Sequence, residues 1–411
     1  MFEVVYKRLG IHPDLTVQGE SFYNPLIPAT LQDLASKNMI TLDNGAKLVW
    51  VKSNKKKKAK KKKKSSSSKK DDGAKDGKAQ KKKNNAPPGM MEIPLIAQKS
   101  DGGYGYDSTD LCAVQYRLQK LKCDSVFYCV DAGQSLHFDL IFAAARQAGW
   151  ANEKHRLEHI KFGVVTGEDG TRIKTRSGKS TLDSSAKREN INSYAHSLTI
   201  IKHTNSRTGT RLIDLLDEAV LRAKEELLKR IKDPKSTCKL KMEEVDDVAS
   251  KLAHGCVKYF DLRLNRINNY AFSFDKLLDP RGDTNVYIQQ QHSRINSIFE
   301  KAKEKFNVNV QDLLKKKGNM NITLDTPQER AVAATILELP DVLERVTVDL
   351  LPSGICAWIG SMCKALSSMY AAVYVLSNDE KMPGRLLLLE ACAVSMRKAM
   401  DMIGLDPLYA M

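Results

Sequence analysis

The chain has 411 residues, is 42% hydrophobic and carries a formal net charge of +17 at pH 7, which allows two or three domains with sizeable cores. No apolar run reaches the roughly 18 residues needed to span a bilayer. The start, M-F-E-V-V-Y-K-R, has no signal-peptide pattern, and the eight cysteines include no C-x-x-C pair, so reduced thiols in a cytoplasmic protein fit better than a disulfide framework or a zinc site.

The charge is local. Lys55 to Lys83 holds 16 lysines and 3 aspartates, a balance of +13 that leaves +4 for the rest of the chain.

In chain order, residues 1–52 read as a small α/β piece. Pro28 to Lys37 has helical spacing with Leu31 and Leu34 on one face, Asn44-Gly45 is a hairpin signal, and K-L-V-W-V after it alternates as a strand does. Residues 53–89 are lysine, serine, asparagine and glycine, closing on Pro87-Pro88. Such a tract buries no apolar surface and is expected to be disordered. Its two readings are a solvated insertion and an arm that contacts RNA phosphates through counterion release.

Ile93 to Gly149 has a βαβα pattern. It predicts a helix over Asp107 to Leu121 capped by Asp107 or Ser108, a buried strand at Val126 to Val130, and a helix from Phe138 ended by Gly149. Another strand is expected at Ile160 to Val165, followed by G-E-D-G and R-I-K-T-R-S-G. Lys179 to Ser206 is polar with no sustained period. A long helix is predicted from R-L-I-D-L-L-D-E-A to about Ile231, and further helices over Met242 to Leu264 and Tyr287 to Lys305.

The last third has the strongest period. Ile355, Ile359, Met362, Leu366, Met369, Val373 and Leu376 recur at steps of four and three, as do Leu386, Leu389, Ala393, Met396, Met400 and Ile403. Gly404 and Pro407 then stop the second helix. Two amphipathic helices packed in a bundle are predicted, their apolar stripes forming core.

The motifs K-S-D-G-G-Y-G-Y-D-S-T-D (Lys99 to Asp110), V-D-A-G-Q-S-L-H-F, G-E-D-G-T-R-I-K-T-R-S-G and L-I-D-L-L-D-E-A, in this order, resemble those of a eukaryotic-type arginyl-tRNA synthetase. G-E-S-F-Y at Gly19 to Tyr23, F-S-F-D-K-L-L-D at Phe272 to Asp279, H-S-R-I at His292 to Ile295 and the ending M-I-G-L-D-P-L-Y-A-M agree with it. The resemblance implies α/β plus all-α architecture: an incomplete class I Rossmann catalytic domain followed by a helical anticodon-binding bundle. In those terms residues 1–52 are a connective piece, 53–89 an insertion, 90–280 the second half of the catalytic domain with a loop insertion at 179–206, and 281–411 the anticodon-binding domain.

The implied activity is ATP-dependent ligation of arginine to its tRNA. A guanidinium is a flat, permanently charged fork of donors and needs a carboxylate with further acceptors. Asp110 matches the family's carboxylate, Tyr106 its tyrosine one helical turn earlier, and Gln134 its glutamine at the amino acid. Such a pocket rejects lysine, and rejects citrulline more strongly because the carboxylate is left unpaired. His137 matches a histidine near ATP; by spacing alone it reads as a buried, satisfied histidine. Lys174, Thr175, Arg176 and Ser177 stand where class I synthetases carry the K-M-S-K-S loop. Lys174, Arg176 and Ser177 are there expected to contact the triphosphate and stabilise departing pyrophosphate, with Mg2+ accompanying ATP. Arg294 and Tyr409 are the candidates for tRNA contact. No metal site is expected: His155 and His159, four apart on a presumed helix, have no completing ligands. Asp101, Asp107 and Asp131 read as caps and turn residues.

No H-x-G-H motif occurs in the chain. The resemblance therefore implies that the first Rossmann strands are lacking, leaving an unpaired sheet edge and weak adenylation by the chain alone. On the same basis Lys179 to Ser206 has the look of a retained intron. Two other functions compete: a tRNA-binding module without catalysis, and a partner of other synthetases joined through the lysine tract.

Overall fold

Both central residues of the first hairpin have positive φ, Asn44 at 47° and Gly45 at 80°, the conformation that a two-residue turn between twisted strands demands and that Asn-Gly supplies. In the computed structural model, which describes residues 2–11, 14–52, 87–167, 211–234, 240–315, 322, 324–377 and 379–411, this turn joins β1 (Ile40–Asp43) to β2 (Ala46–Val49). The strand β3 (Leu95–Gln98) pairs antiparallel with β2, giving the order β1-β2-β3. The ladder ends in an antiparallel bridge between Lys52 and Met90. Residues 53–86, most of the lysine tract, lie outside the described residues, as do 168–210, which include Lys174, Thr175, Arg176, Ser177 and the polar segment.

Two compact units emerge: Thr16–Phe162, and Met1–Leu15 together with Gly163–Met411. Apolar patterning explains the smaller unit. The helix α2 (Ile27–Ser36) buries Ile27, Leu31 and Leu34. Asp33 Oδ2 accepts from Lys37 Nζ (2.7 Å), Gln115 Nε2 (3.2 Å) and Trp150 Nε1 (2.6 Å), so one carboxylate ties α2 to two later segments. The helix α3 (Tyr106–Gln115) runs into a π-helical turn at Tyr116–Lys120.

The strands β4 (Ser125–Asp131) and β5 (Arg156–Phe162) are parallel and are joined through α4 (Ser135–Gln147), the βαβ unit expected of the fold. The strand predicted as buried at Val126 to Val130 is buried on one face only. Val126 and Tyr128 point inward, whereas Phe127 and Cys129 are exposed, because a strand's side chains alternate and only one face meets helices. His155 and His159 do not share a helix: His159 lies on β5, and His155 precedes that strand in a turn. The strand expected at Ile160 to Val165 is broken at Gly163. Beyond it β6 (Val165–Thr166) pairs in parallel with β7 (Tyr270–Ala271), part of the larger unit.

In the larger unit α1 is Phe2–Leu9, α5 Leu212–Lys232 and α6 Val245–Leu262. The last two pack along an apolar seam containing Ala219, Ala223, Leu252 and Ala253. Gly255 lets α6 approach α8 (Asn285–Phe306), which follows the short α7 (Phe274–Leu277): a Cβ there would sit 2.6 Å from Asn285 Nδ2. After α9 (Val310–Lys315) come α10 (Pro327–Leu337), α11 (Leu339–Asp349), α12 (Ser353–Ala372) and α13 (Met382–Met402).

Every residue of the predicted stripe from Ile355 to Met369 and from Leu386 to Ile403 is buried. The helix α12 stops at Ala372, so Val373 is buried beyond its end rather than on it. The helices α10 and α11 were not predicted, although T-P-Q-E carried a start signal. Thr326 Oγ1 accepts from the Glu329 amide (3.1 Å) and Glu329 Oε2 from the Thr326 amide (2.8 Å), with proline at the first helical position.

Candidate functional site

The turn before α3 builds the first site. Gly105 takes the cap position, not Asp107 or Ser108. Ser108 Oγ accepts from the Gly105 amide (3.2 Å) and donates to the Ala97 carbonyl (2.7 Å), fixing the helix start against β3. Asp107 is no cap either. Its Oδ2 accepts from the Ile96 amide (2.6 Å) and its Oδ1 faces His137 Nδ1 at 3.1 Å. The other ring nitrogen, His137 Nε2, lies 2.7 Å from Asp110 Oδ2. Asp101 and Asp131 are turn residues as expected, each accepting a backbone amide two residues on at 2.8 Å.

An imidazole with a carboxylate on each nitrogen must donate from both, which requires the protonated ring. The bonds to Asp107 and Asp110 accordingly push the His137 imidazole up to about 9. The side chains of His137, Asp107 and Asp110 are partly exposed, at 21%, 26% and 27%. On β4 below, burial pushes the Tyr128 hydroxyl up to about 12, with the Arg117 guanidinium 5.0 Å from its ring.

A cavity of about 540 Å3 opens beside Asp107, lined among others by Glu20, Ile96, Lys99, Tyr104 and Tyr106. Tyr106 on this wall is 74% exposed. Asp110 and Gln134 are not among the lining residues. The predicted trio of Tyr106, Asp110 and Gln134 therefore does not share one wall. Asp107 and His137 connect its parts: Asp107 lines the cavity and bonds His137, which bonds Asp110. Gln134 is exposed in the turn that leads into α4, three residues before His137.

The larger unit holds a second cavity of about 280 Å3, lined among others by His292, Asn296, Gln311, Arg397 and Tyr409. Three side chains of α8 on one face, at steps of three and four, bind the C-terminal tail. Gln289 donates to the Asp406 carbonyl (2.9 Å) and accepts from the Leu408 amide (2.8 Å). His292 Nδ1 donates to the Leu408 carbonyl (2.8 Å), and Asn296 Nδ2 to the Tyr409 carbonyl (3.2 Å). Burial holds His292 below its ordinary range, so the ring is neutral and Nδ1 carries its proton. The Tyr409 ring packs edge-on against it at 5.2 Å. Arg294 stands apart from this cavity, its guanidinium 4.2 Å over the Tyr370 ring.

Gln289 is 1% exposed and satisfies two tail groups. Replacing it by alanine leaves both without that partner, and about 1–3 kcal/mol of stability is expected to go. Hydrogen exchange at the Leu408 amide checks this; unchanged protection contradicts it.

Profile comparison matches residues 2–192 and 196–274 to "tRNA synthetases class I (R), catalytic domain" and residues 288–411 to "DALR anticodon binding domain". The chain belongs to the class I arginyl-tRNA synthetase family. A cytoplasmic arginine–tRNA ligase of Arabidopsis thaliana is 34% identical over 412 residues, which cover 99% of this chain and 56% of the relative. An arginine–tRNA ligase of a Cyanothece species is 33% identical over 413 residues, covering 100% and 58%. The crystal structure of Plasmodium falciparum arginyl-tRNA synthetase superposes with a TM-score of 0.71 at 26% identity, covering 100% of this chain and 56% of that one. The Thermus thermophilus enzyme, at 16% identity and a TM-score of 0.69 over 62% of its length, shares the fold. This member of the arginyl-tRNA synthetase family thus spans a little over half the length of the relatives it matches.

Two residues escaped sequence reasoning. Glu20 lies in G-E-S-F-Y, a motif used only for resemblance, yet lines the cavity with Asp107. Asp107 looked like a cap because acidic residues are common in a helix's first turn. The signal that distinguishes it is its three-residue spacing from Asp110, which puts both carboxylates on one face of α3.

Proposed function

We propose that this chain carries out the arginine–tRNA ligase reaction, in which ATP activates arginine to the adenylate and a ribose hydroxyl of tRNA then accepts the arginyl group. One observation carries the reading: Asp107 lines a cavity with Tyr106 on its wall and is tied through His137 to Asp110, one turn further along α3. That arrangement suits a flat cation with one positive charge. Asp110 is the selecting carboxylate, Tyr106 covers the substrate, and Gln134 holds the amino acid's own polar groups. His137 borders the ATP site, and Lys174, Arg176 and Ser177 steady the triphosphate together with Mg2+. Both steps are displacements that positioning and fixed charge accelerate, so they need no dedicated general base.

The tRNA partner is assigned to the larger unit, through the cavity at Tyr409 and the exposed Arg294. An aromatic ring and a guanidinium offer stacking and phosphate contacts. Among the described residues no helix is long and apolar enough to cross a membrane, which fits a cytoplasmic place beside the ribosome's substrates. Association with other synthetases through residues 53–89 is part of the same reading.

Calorimetric titration of the full chain with arginine, lysine and citrulline tests the proposal. Arginine is expected to bind about 100-fold more tightly than citrulline, whose neutral ureido group brings no charge to Asp110. Equal affinities for the two would refute it. Arginine- and tRNA-dependent exchange of pyrophosphate into ATP reports the activation step.

A further inference from the structure

His137 is placed where it does more than border a nucleotide. Each of its ring nitrogens meets a different carboxylate, Nδ1 to Asp107 at 3.1 Å and Nε2 to Asp110 at 2.7 Å. Asp107 has its second oxygen on the Ile96 amide, so both of its oxygens are committed. Asp110 has only Oδ2 engaged by the ring; its Oδ1 has no hydrogen-bond partner among the described residues.

We propose that His137 is the specificity-determining residue of the arginine site: its imidazolium neutralises one of two adjoining carboxylates and leaves a single net negative charge, with one uncommitted Asp110 oxygen, for the substrate's guanidinium. The inference rests on the reading of the cavity as an arginine site and goes beyond it.

The physical argument is charge matching. Two bare carboxylates one helical turn apart would attract any compact cation, and an ammonium gains more from doubled charge than a delocalised guanidinium does. With the imidazolium in place the trio is matched to one cation. Oδ2 of Asp110 is also held still, so Oδ1 is presented in a fixed direction and the bond to the substrate is end-on rather than bidentate. Preorganisation of this kind lowers the ordering cost of binding.

The charged groups around the ring are few. From α3 it meets Asp107 and Asp110, and the cavity wall beyond Asp107 adds Glu20 and Lys99. On β4 the Tyr128 hydroxyl stays protonated because burial pushes it up to about 12, and the Arg117 guanidinium lies 5.0 Å from its ring. Asp131, in the turn before α4, accepts from the Gly133 amide. The His137 ring, pushed up to about 9 by its two carboxylate partners, changes its charge between neutral pH and that range.

A guanidinium arriving beside an imidazolium lowers the ring's proton affinity. By linkage, arginine affinity must then rise as the ring loses its proton, and the ring's charge must oppose lysine as well.

The test uses the full chain and its His137→Gln variant, with arginine and lysine as calorimetric ligands at about pH 7.5 and about pH 9.5. Dividing wild type by variant at each pH cancels the titration of the ligand's own amine. Wild-type affinity for arginine, taken relative to the variant, is expected to rise about twofold across that interval as the ring loses its proton. At the lower pH the variant is expected to bind lysine about fivefold more tightly than wild type, with a smaller gain for arginine. An independent readout needs no variant: the NMR titration of the His137 ring in the wild-type chain should have its midpoint near 9.

A midpoint near 6.5, the ordinary histidine value, overturns the inference. So do parallel pH profiles in the two proteins, or a lysine affinity unchanged by the substitution; either result leaves the arginine reading standing. If wild type binds no arginine at either pH, the arginine reading itself fails and this inference falls with it, even with the midpoint near 9.

Discussion

Asp110→Asn is expected to weaken arginine binding by about 100-fold, because a hydrogen bond to a charged group is worth roughly 1.5–3 kcal/mol and the lost charge adds to it. The amide keeps the shape of the side chain and still meets His137 Nε2, now as a neutral partner. His137 is then left with the single carboxylate of Asp107, and its ring should return toward the ordinary range. Citrulline, uncharged at its side chain, should be nearly indifferent to the change. Calorimetry with both ligands distinguishes this from a general collapse of the pocket, which would weaken both alike. Asp110→Glu makes a useful companion: the charge is restored but displaced by a methylene, so only part of the affinity should return. An Asn variant that binds arginine as wild type does would remove Asp110 from the site.

Arg385→Met is expected to cost the larger unit about 3–5 kcal/mol, the usual penalty for stranding a buried charge. Glu329 is 1% exposed, and Arg385 Nε donates to its Oε1 at 2.9 Å, joining α10 to α13. The same guanidinium reaches Ser377 Oγ at 3.0 Å and Asp379 at 3.6 Å. Burial alone would raise the Glu329 carboxyl, but the Thr326 amide and Arg385 outweigh it and hold the carboxyl below its usual value. The sign of the pH effect follows. The pair stabilises above the unfolded carboxyl's range near 4.5 and loses that contribution as pH falls through the lower folded value. The difference in thermal midpoint between wild type and variant should therefore be large at neutral pH and shrink in acid. The double change Glu329→Met with Arg385→Met should recover most of the loss, since a well-packed apolar pair can replace a buried ion pair. A single variant as stable as wild type would show that the pair contributes nothing.

Periodicity read the bundle well because α12 buries its stripe from Ile355 to Met369 and α13 its stripe from Leu386 to Met400, and such a stripe has no other use. It read Asn44-Gly45 well because positive φ at two successive positions leaves few residue choices. It failed at His159, where a spacing of four from His155 looked helical but belongs to a turn and a strand. Four residues span one turn of a helix and also an even step along a strand, so spacing alone does not choose between them. The helices α10 and α11 were passed over because their apolar residues are few, although Thr326 and Glu329 announced the start of the first. At the site, motif resemblance pointed to Tyr106, Asp110, Gln134 and His137 one at a time. It had no means of pairing them, because which side of an imidazole meets which carboxylate is a property of packing between α3 and α4.

The bridge between Lys52 and Met90 has a consequence for how this gene tolerates change. The ladder of β2 and β3 is closed by those two residues, so the sheet is indifferent to how many codons are spelled out between them. Shortening the segment between them is accordingly expected to leave the pairing of β2 with β3 in place.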